Sequence, residues 1–275
     1  MGELLSRWHD ALAEQSPVAV ATVIGGPEDS LGGKILISPE GHHGTAGNEE
    51  LDRAIVEAAR GLLEGGRTET VHFGPQGQRR MEDVAVFVQS FAPPPRMYVF
   101  GAIDFASAVA RIGKFMGYRV TVCDARPVFA TRERFPTADE VVVAWPDEFL
   151  KTAEVDGRAV ICVLTHDPKF DVPVLVEALK TEAGYIGAMG SRRTHNDRTA
   201  RLKEEGVTDE QLARISSPVG LDIGARTPEE TAIAIAAEII ALHTGHSGGR
   251  LAERSGPIHA ARPTQTRETA SDPSR

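Results

Sequence analysis

Residues 96–126 read Arg-Met-Tyr-Val-Phe-Gly-Ala-Ile-Asp-Phe-Ala-Ser-Ala-Val-Ala-Arg-Ile-Gly-Lys-Phe-Met-Gly-Tyr-Arg-Val-Thr-Val-Cys-Asp-Ala-Arg. The run 97–100 is apolar and of strand length, and Gly101-Ala102 breaks it. From 104 to 116, Phe105, Ala108, Val109, Ile112 and Met116 recur at spacings of three and four, which predicts a helix with one buried face. Gly117 supplies the stop expected just past a helix end. Residues 118–123 return as a second strand, with Asp124 at its carboxyl end. This strand-turn-helix-strand unit opens a Rossmann topology.

A turn of this kind presents backbone N–H groups at a helix N-terminus, where roughly half a positive charge favours phosphate. An acid placed like Asp124 accepts hydrogen bonds from a ribose. The dinucleotide pattern G-x-G-x-x-G wants glycine at its third place, and Ile103 stands there. Asp104 brings a negative charge to the docking point and also reads as an N-cap. Both changes work against an ordinary NAD(P) pose.

Working outward, the alternation of strand and helix continues downstream. Strands are expected at 140–145, 159–164 and 185–189, and helices at 172–180 and 194–205. Thr227-Pro228-Glu229-Glu230 is a complete helix start, with Thr at the N-cap, Pro in the first turn and Glu closing a capping box. The helix it begins runs to about 243 and is apolar on nearly every side, which predicts burial between the sheet and the other domain.

Upstream, residues 1–92 predict a small N-terminal α/β domain. Its elements are a helix over 3–13, strands at 18–24 and 34–38 joined by a glycine-rich stretch, a flexible turn over 41–47, a helix over 48–64, and strands at 70–74 and 84–91. Pro93-Pro94-Pro95 favours a stiff extended linker and marks the junction. The fold class is thus α/β, a small N-terminal α/β domain followed by a Rossmann-like parallel-sheet domain over 96–244. Residues 245–275, rich in Gly, Ser, Thr, Pro and Arg, predict a disordered tail.

With 41% hydrophobic and 25% charged residues, the 275-residue chain has the composition of a soluble globular protein. A formal charge of -9 argues against nucleic acid as the main partner. No apolar run reaches membrane-spanning length; the greasiest, 232–242, is short and carries Glu238. Residues 1–15 read as an amphipathic segment rather than a signal peptide, so a cytoplasmic protein is expected. Cys123 and Cys162 lie inside strand-like runs without metal-type spacing, which argues against a disulfide framework and a zinc site.

Ligands of open parallel sheets bind at the carboxyl ends of strands, and four loops fall there. They are Asp124-Ala125-Arg126, Leu164-Thr165-His166-Asp167, residues 187–193, and residues 218–226 with Asp222 between two glycines. Gly190-Ser191-Arg192-Arg193 sets small residues and two guanidinium forks before a helix, a pattern suited to phosphate or to a solvated helix start. His166, beside Asp167, could be a general base, a metal ligand or a hydrogen-bonding residue. Asp222 is a turn residue or an acid, and Cys123 is a buried thiol or a sulfur carrier facing the ligand. No nucleophile-base pair has a recognisable spacing. The residues alone point to an anion-binding two-domain α/β protein for a phosphorylated or dinucleotide-like ligand.

Several stretches resemble the XdhC/CoxI family, accessory proteins of xanthine dehydrogenase and other molybdenum hydroxylases. They are Val-Phe-Gly-Ala at 99–102, Cys-Asp-Ala-Arg-Pro at 123–127, Phe-Ala-Thr-Arg-Glu-Arg-Phe-Pro at 129–136, Leu-Thr-His-Asp-Pro-Lys-Phe-Asp at 164–171, Tyr-Ile-Gly-Ala-Met-Gly-Ser-Arg-Arg-Thr at 185–194 and Ser-Pro-Val-Gly-Leu-Asp-Ile-Gly-Ala-Arg-Thr-Pro-Glu-Glu at 217–230. The resemblance implies a chaperone without turnover of its own. Such a protein binds and protects molybdenum cofactor, assists its sulfuration by a cysteine desulfurase, and delivers it to a molybdenum hydroxylase apoenzyme. The cofactor-binding set it suggests is Gly101, Ala102, Asp104, Asp124, Arg126, His166, Asp167, Gly190, Ser191, Arg192, Arg193 and Asp222.

Two features depart from the family. Its first domain often carries a Ser-Gly-Gly-Cys-type stretch, and Gly44-Thr45-Ala46-Gly47 has no cysteine. Its turn commonly reads Gly-Ala-Gly-His, where this chain has Gly101-Ala102-Ile103-Asp104. Two other readings of the crevice stay open: an NAD(P)-dependent oxidoreductase with His166 as proton donor, and a nucleotide-responsive interaction module docking on a partner enzyme. A homodimer is the default assembly.

Overall fold

The computed structural model describes residues 2–78, 81–165, 167–253 and 255. Helix α1 (Gly2–Ala13) precedes a five-stranded antiparallel sheet of β1 (Val18–Gly25), β2 (Lys34–Ser38), β3 (Gly41–Thr45), β4 (Glu69–Phe73) and β5 (Val84–Phe91), with α2 (Glu49–Glu64) between β3 and β4. The strand order is β3-β2-β1-β5-β4. Alternate residues Ala19, Ala21 and Val23 of β1 pack with Leu51, Ile55, Ala59 and Leu62 of α2, as a strand with one buried face requires. The Asn48 side chain caps α2 by accepting from the Leu51 N–H at 2.8 Å.

The second sheet contains β6 (Arg96–Phe100), β7 (Arg119–Asp124), β8 (Glu140–Val143), β9 (Val160–Val163), β10 (Tyr185–Ala188) and β11 (Ile215–Ser216). All of its pairs are parallel, in the order β8-β7-β6-β9-β10-β11. Six helices accompany it: α3 (Asp104–Phe115), α4 (Pro146–Leu150), α5 (Pro168–Leu179), α6 (Arg192–Glu204), α7 (Asp209–Leu212) and α8 (Pro228–Thr244). Val99, Val120 and Val122 pack with Val109 of α3 and Ile235 and Ile239 of α8. On the opposite face, Tyr98, Phe100 and Ile161 pack with Val174 and Leu175 of α5 and Leu202 of α6. Burial on both faces is why these strands read as continuous apolar runs. Counted from β6, the order is that of a doubly wound nucleotide-binding sheet, with its switch point between β6 and β9.

Several sequence expectations are corrected. The turn expected over 41–47 contains β3, which pairs with β2 from Ser38↔Gly41 to Lys34↔Thr45. Gly44 explains the misreading: it sits at φ +100, and a Cβ there would lie 2.2 Å from the Lys34 carbonyl oxygen, so this glycine permits close strand approach. The strand expected over 140–145 ends at Val143, because Pro146 opens α4. Helix α5 begins at Pro168, behind an Asp167 N-cap, and α6 at Arg192, behind a Ser191 N-cap. Asp104 is not a cap: extended Ile103 holds that position, and Asp104 is the first helical residue.

Helix α8 starts with the expected Thr227/Glu230 capping box. It packs on α3 and β10, leaving Ile233, Ile240 and Leu242 exposed, so it is not enclosed between the sheet and the N-terminal half. An apolar pattern all round a helix does not distinguish the two cases, because folded surfaces retain much apolar area. Its one central acid is accounted for, since Glu238 accepts from the Tyr185 hydroxyl at 2.5 Å and the Gly220 N–H at 2.9 Å. Part of the expected tail is ordered as a 3-10 turn over Leu251–Glu253. The remainder, 254 and 256–275, lies outside the described residues. Among the described residues no helix is long and apolar enough to cross a membrane.

Candidate functional site

The switch point brings the β6 turn against the loop that follows β9. Gly101 has φ +100, and a Cβ on it would meet Thr165 Cγ2 at 2.7 Å and Thr165 N at 2.9 Å. Only glycine allows this approach without displacing the second loop. The Ala102 N–H donates to Asp124 Oδ2 at 2.7 Å, tying the turn to the end of β7. Asp124 Oδ1 accepts from the Arg126 N–H and Nε, both at 2.9 Å, and Oδ2 accepts from Arg126 Nη2 at 2.8 Å. Burial alone works to raise the Asp124 pKa, but the donors from Arg126 and Ala102 outweigh it and hold the carboxyl below its ordinary value. Gly101, Ala102, Asp124 and Arg126 are thus one hydrogen-bonded unit. In it Asp124 is engaged by Arg126, so a ribose would share or replace those bonds.

The other expected site residues take separate places. Asp104 is exposed and pairs with Arg134 at 3.2 Å. The Asp167 side chain caps α5 by accepting from the Lys169 N–H. Gly190, at φ +153, turns the chain into α6, whose N-terminus Ser191 caps. Arg192 and Arg193 project from its first turn, exposed, with Arg193 4.0 Å from Asp197. Asp222 is exposed in the loop before α8, and among the described residues no hydrogen bond joins it to the glycine turn. His166 lies outside the described residues.

Beneath the loops runs a network that sequence reasoning missed. Asp171 and Arg198 form an ion pair at 2.8 Å with both side chains 4% exposed. Thr165 donates its hydroxyl hydrogen to Asp171. Arg198 also donates to the Met189 carbonyl at 2.7 Å and to Ser217 Oγ at 3.2 Å. One guanidinium therefore ties α5 to the segments after β10 and β11, and through Asp171 to Thr165 after β9. Burial pushes the Asp171 carboxyl up to about 6 despite Arg198 beside it. Nothing local distinguishes Arg198 from the solvated arginines of the same helix; only its position over the sheet does.

Aromatic rings were the second omission. Phe129, Trp145 and Phe170 gather at the carboxyl ends of β7 and β8 and at the start of α5, with Arg126, Arg134 and Lys169 among them. Trp145 was detectable in principle, because an aromatic residue between a strand and a proline occupies a loop at the ligand-binding edge.

Both cysteines are fully buried. Burial pushes each thiol up to about 12, and the neighbouring Asp124 adds to this at Cys123. Among the described residues no group of three or more His, Cys, Asp or Glu is placed to hold a metal ion. A shallow surface hollow of about 470 Å³ lies between the start of α5 and the end of α6. Asp167, Glu204 and Glu205 line it together with Lys169 and Arg201, so its charge is mixed.

The profile of the XdhC Rossmann domain matches residues 97–239, and that of the XdhC and CoxI family matches residues 11–74. The chain belongs to the XdhC and CoxI family. Among its XdhC-type relatives is a Bacillus subtilis protein described as a probable subunit of xanthine dehydrogenase, 31% identical over 63% of this chain and 55% of that protein. Another is "Molybdenum cofactor insertion chaperone PaoD" of Escherichia coli, 28% identical over 57% of this chain and 42% of that protein. The chain spans about half the length of the curated relatives it matches. A crystal structure described as a xanthine dehydrogenase from Bacillus halodurans shares the fold, with TM-score 0.51 and 20% identity over 87% of this chain and 95% of that one.

Proposed function

We propose that this XdhC-family chain binds molybdenum cofactor as cargo, assists its sulfuration, and delivers it to a molybdenum hydroxylase apoenzyme of the xanthine dehydrogenase type. The observation that carries the reading is the Gly101-Ala102-Asp124-Arg126 unit at the switch point, in a chain of the family to which the insertion chaperone PaoD is related. The residues fit such a cargo through its organic part. Gly101 and Gly190 hold positive-φ turns at the edge of the sheet, and Arg126, Arg192 and Arg193 suit phosphate. The cofactor supplies the metal chemistry; this chain grips pterin and phosphate and shields them at a sheet edge.

The buried cysteines speak for a division of labour in sulfuration. A thiol with its pKa near 12 and no exposure is a poor sulfur carrier. In that division a cysteine desulfurase is the sulfur source, and Cys123 takes no part as a carrier. A cytoplasmic setting and a homodimer complete the proposal. The oxidoreductase reading is less well supported, since Ile103 and Asp104 occupy the place where a nicotinamide dinucleotide's pyrophosphate would dock.

The test is metal analysis and pterin fluorescence after oxidative release, on protein purified anaerobically from a host that makes the cofactor. Stoichiometric molybdenum and pterin are expected. Absence of both, with tight NAD(P)H binding in parallel, would replace the carrier with the oxidoreductase.

A further inference from the structure

A row of rings and cations stands beside the glycine turn. Trp145 follows β8 at the N-cap position of α4, and its side chain is 46% exposed. The Phe170 ring, in the first turn of α5, lies 5.2 Å from it at an interplanar angle of 42°. Lys169 Nζ is 5.0 Å from the Trp145 ring centre and 5.4 Å from that of Phe170. The Arg126 guanidinium stands 6.0 Å from the Phe170 ring centre and 4.5 Å from that of Phe129. The sequence in space is ring, guanidinium, ring, ring, with an ammonium above the last pair.

Core packing accounts for Phe129, which lies against the hydrophobic cluster, but it leaves the Trp145 indole half exposed. Exposed cation–π contacts contribute only about 0.5–1 kcal/mol each, and an indole left half in water forgoes much of its burial. Position supplies the function. In a sheet of this order, a ribose sits at the end of the second strand. The next group along such a ligand falls toward the end of the third strand, where Trp145 stands.

We propose that Trp145, Phe170 and Lys169 form a nucleotide subsite. The aromatic base stacks on Trp145 and Phe170, and Lys169, on its flexible stem, leaves the ring faces for a phosphate. Arg126 borders the subsite and links it to Asp124. The proposal rests on the cargo reading only for what lies beyond the nucleotide: it makes the nucleotide-bearing form of the cofactor the one this chain takes.

The experiment titrates the full chain with CMP, GMP and AMP, and with ribose 5-phosphate and inorganic phosphate as base-free controls, by calorimetry and tryptophan fluorescence. A nucleotide is expected to bind and quench emission saturably, with base-free controls binding far more weakly. Trp145→Phe should lose the quenching, Trp8 being the remaining tryptophan. Trp145→Ala and Lys169→Glu should each weaken binding by about tenfold or more at an unchanged melting temperature. No nucleotide binding at millimolar concentration, equal binding of the base-free controls, or undiminished binding in both variants would overturn the subsite. Molybdenum and pterin carried without competition from nucleotide would remove the subsite and keep the carrier. Nucleotide binding with the expected variant effects, but no molybdenum or pterin, would do the reverse.

Discussion

The carboxylate of Asp171 and the guanidinium of Arg198 meet at 2.8 Å from different helices, each side chain 4% exposed, directly below the loops that follow β9, β10 and β11. Removing one partner leaves the other charged and buried, whereas removing both leaves neither. Asp171→Ala or Arg198→Ala should each cost about 3–5 kcal/mol. Asp171→Leu combined with Arg198→Met should recover a large part of that. Urea unfolding of Asp171→Leu, Arg198→Met and the two combined gives the comparison, and additive losses would argue against the coupling.

Asp171 and Asp124 should give opposite pH dependences. The folded-state pKa of Asp171 is raised to about 6 by burial, so its contribution to stability is fully present below its unfolded value near 4 and is lost as pH rises through 6. For Asp124 the folded value is depressed, so its contribution is present above the ordinary carboxylate value and is lost as pH falls through the lower folded one. Stability measured from pH 3 to 8 for the unaltered chain, Asp171→Asn and Asp124→Asn should show the first variant flattening the limb between about 4 and 6. The second should flatten the acid limb.

Gly101→Ala should destabilise the protein by about 1–3 kcal/mol, because the methyl group meets Thr165 and the backbone is left at φ +100. Since the strain falls on the loop after β9, ligand binding should weaken along with the melting temperature. A control, Gly117→Ala, also has positive φ but open space around its Cβ, and should cost less.

Arg192→Ala with Arg193→Ala should weaken binding of a phosphate-bearing ligand by about 1.5–3 kcal/mol for each charge-assisted hydrogen bond removed. The melting temperature should stay put, because both side chains are exposed and Ser191, not either arginine, caps the helix. Calorimetry with pyrophosphate is the direct measurement. Unchanged affinity would take the start of α6 out of the binding surface.

Much of this protein was legible in its residues. The 3.6-residue period after Gly101, the Thr227/Glu230 box and the apolar strands each carry their signal within a few neighbours, because helix caps and buried parallel strands are locally specified. The match to the XdhC family extended that reading to family membership. Where glycine served close packing rather than a turn, as at Gly44, local reading failed, since spacing cannot say what lies across the sheet.

What only the tertiary structure decided is which polar residues work together. Asp124 and Arg126 are two residues apart in sequence, yet the engagement of the Ala102 N–H on that carboxylate requires β6 and β7 in register. Asp171 of α5, Arg198 of α6 and Ser217 after β11 meet because these segments converge at one edge of the sheet. Trp145 and Phe170 become a pair in the same way. By itself the sequence determined most of the longer elements, their order and the family; the long-range parallel pairing decided which residues of the candidate site meet, because the energies of buried charge and ring stacking depend on distances that chain spacing does not contain.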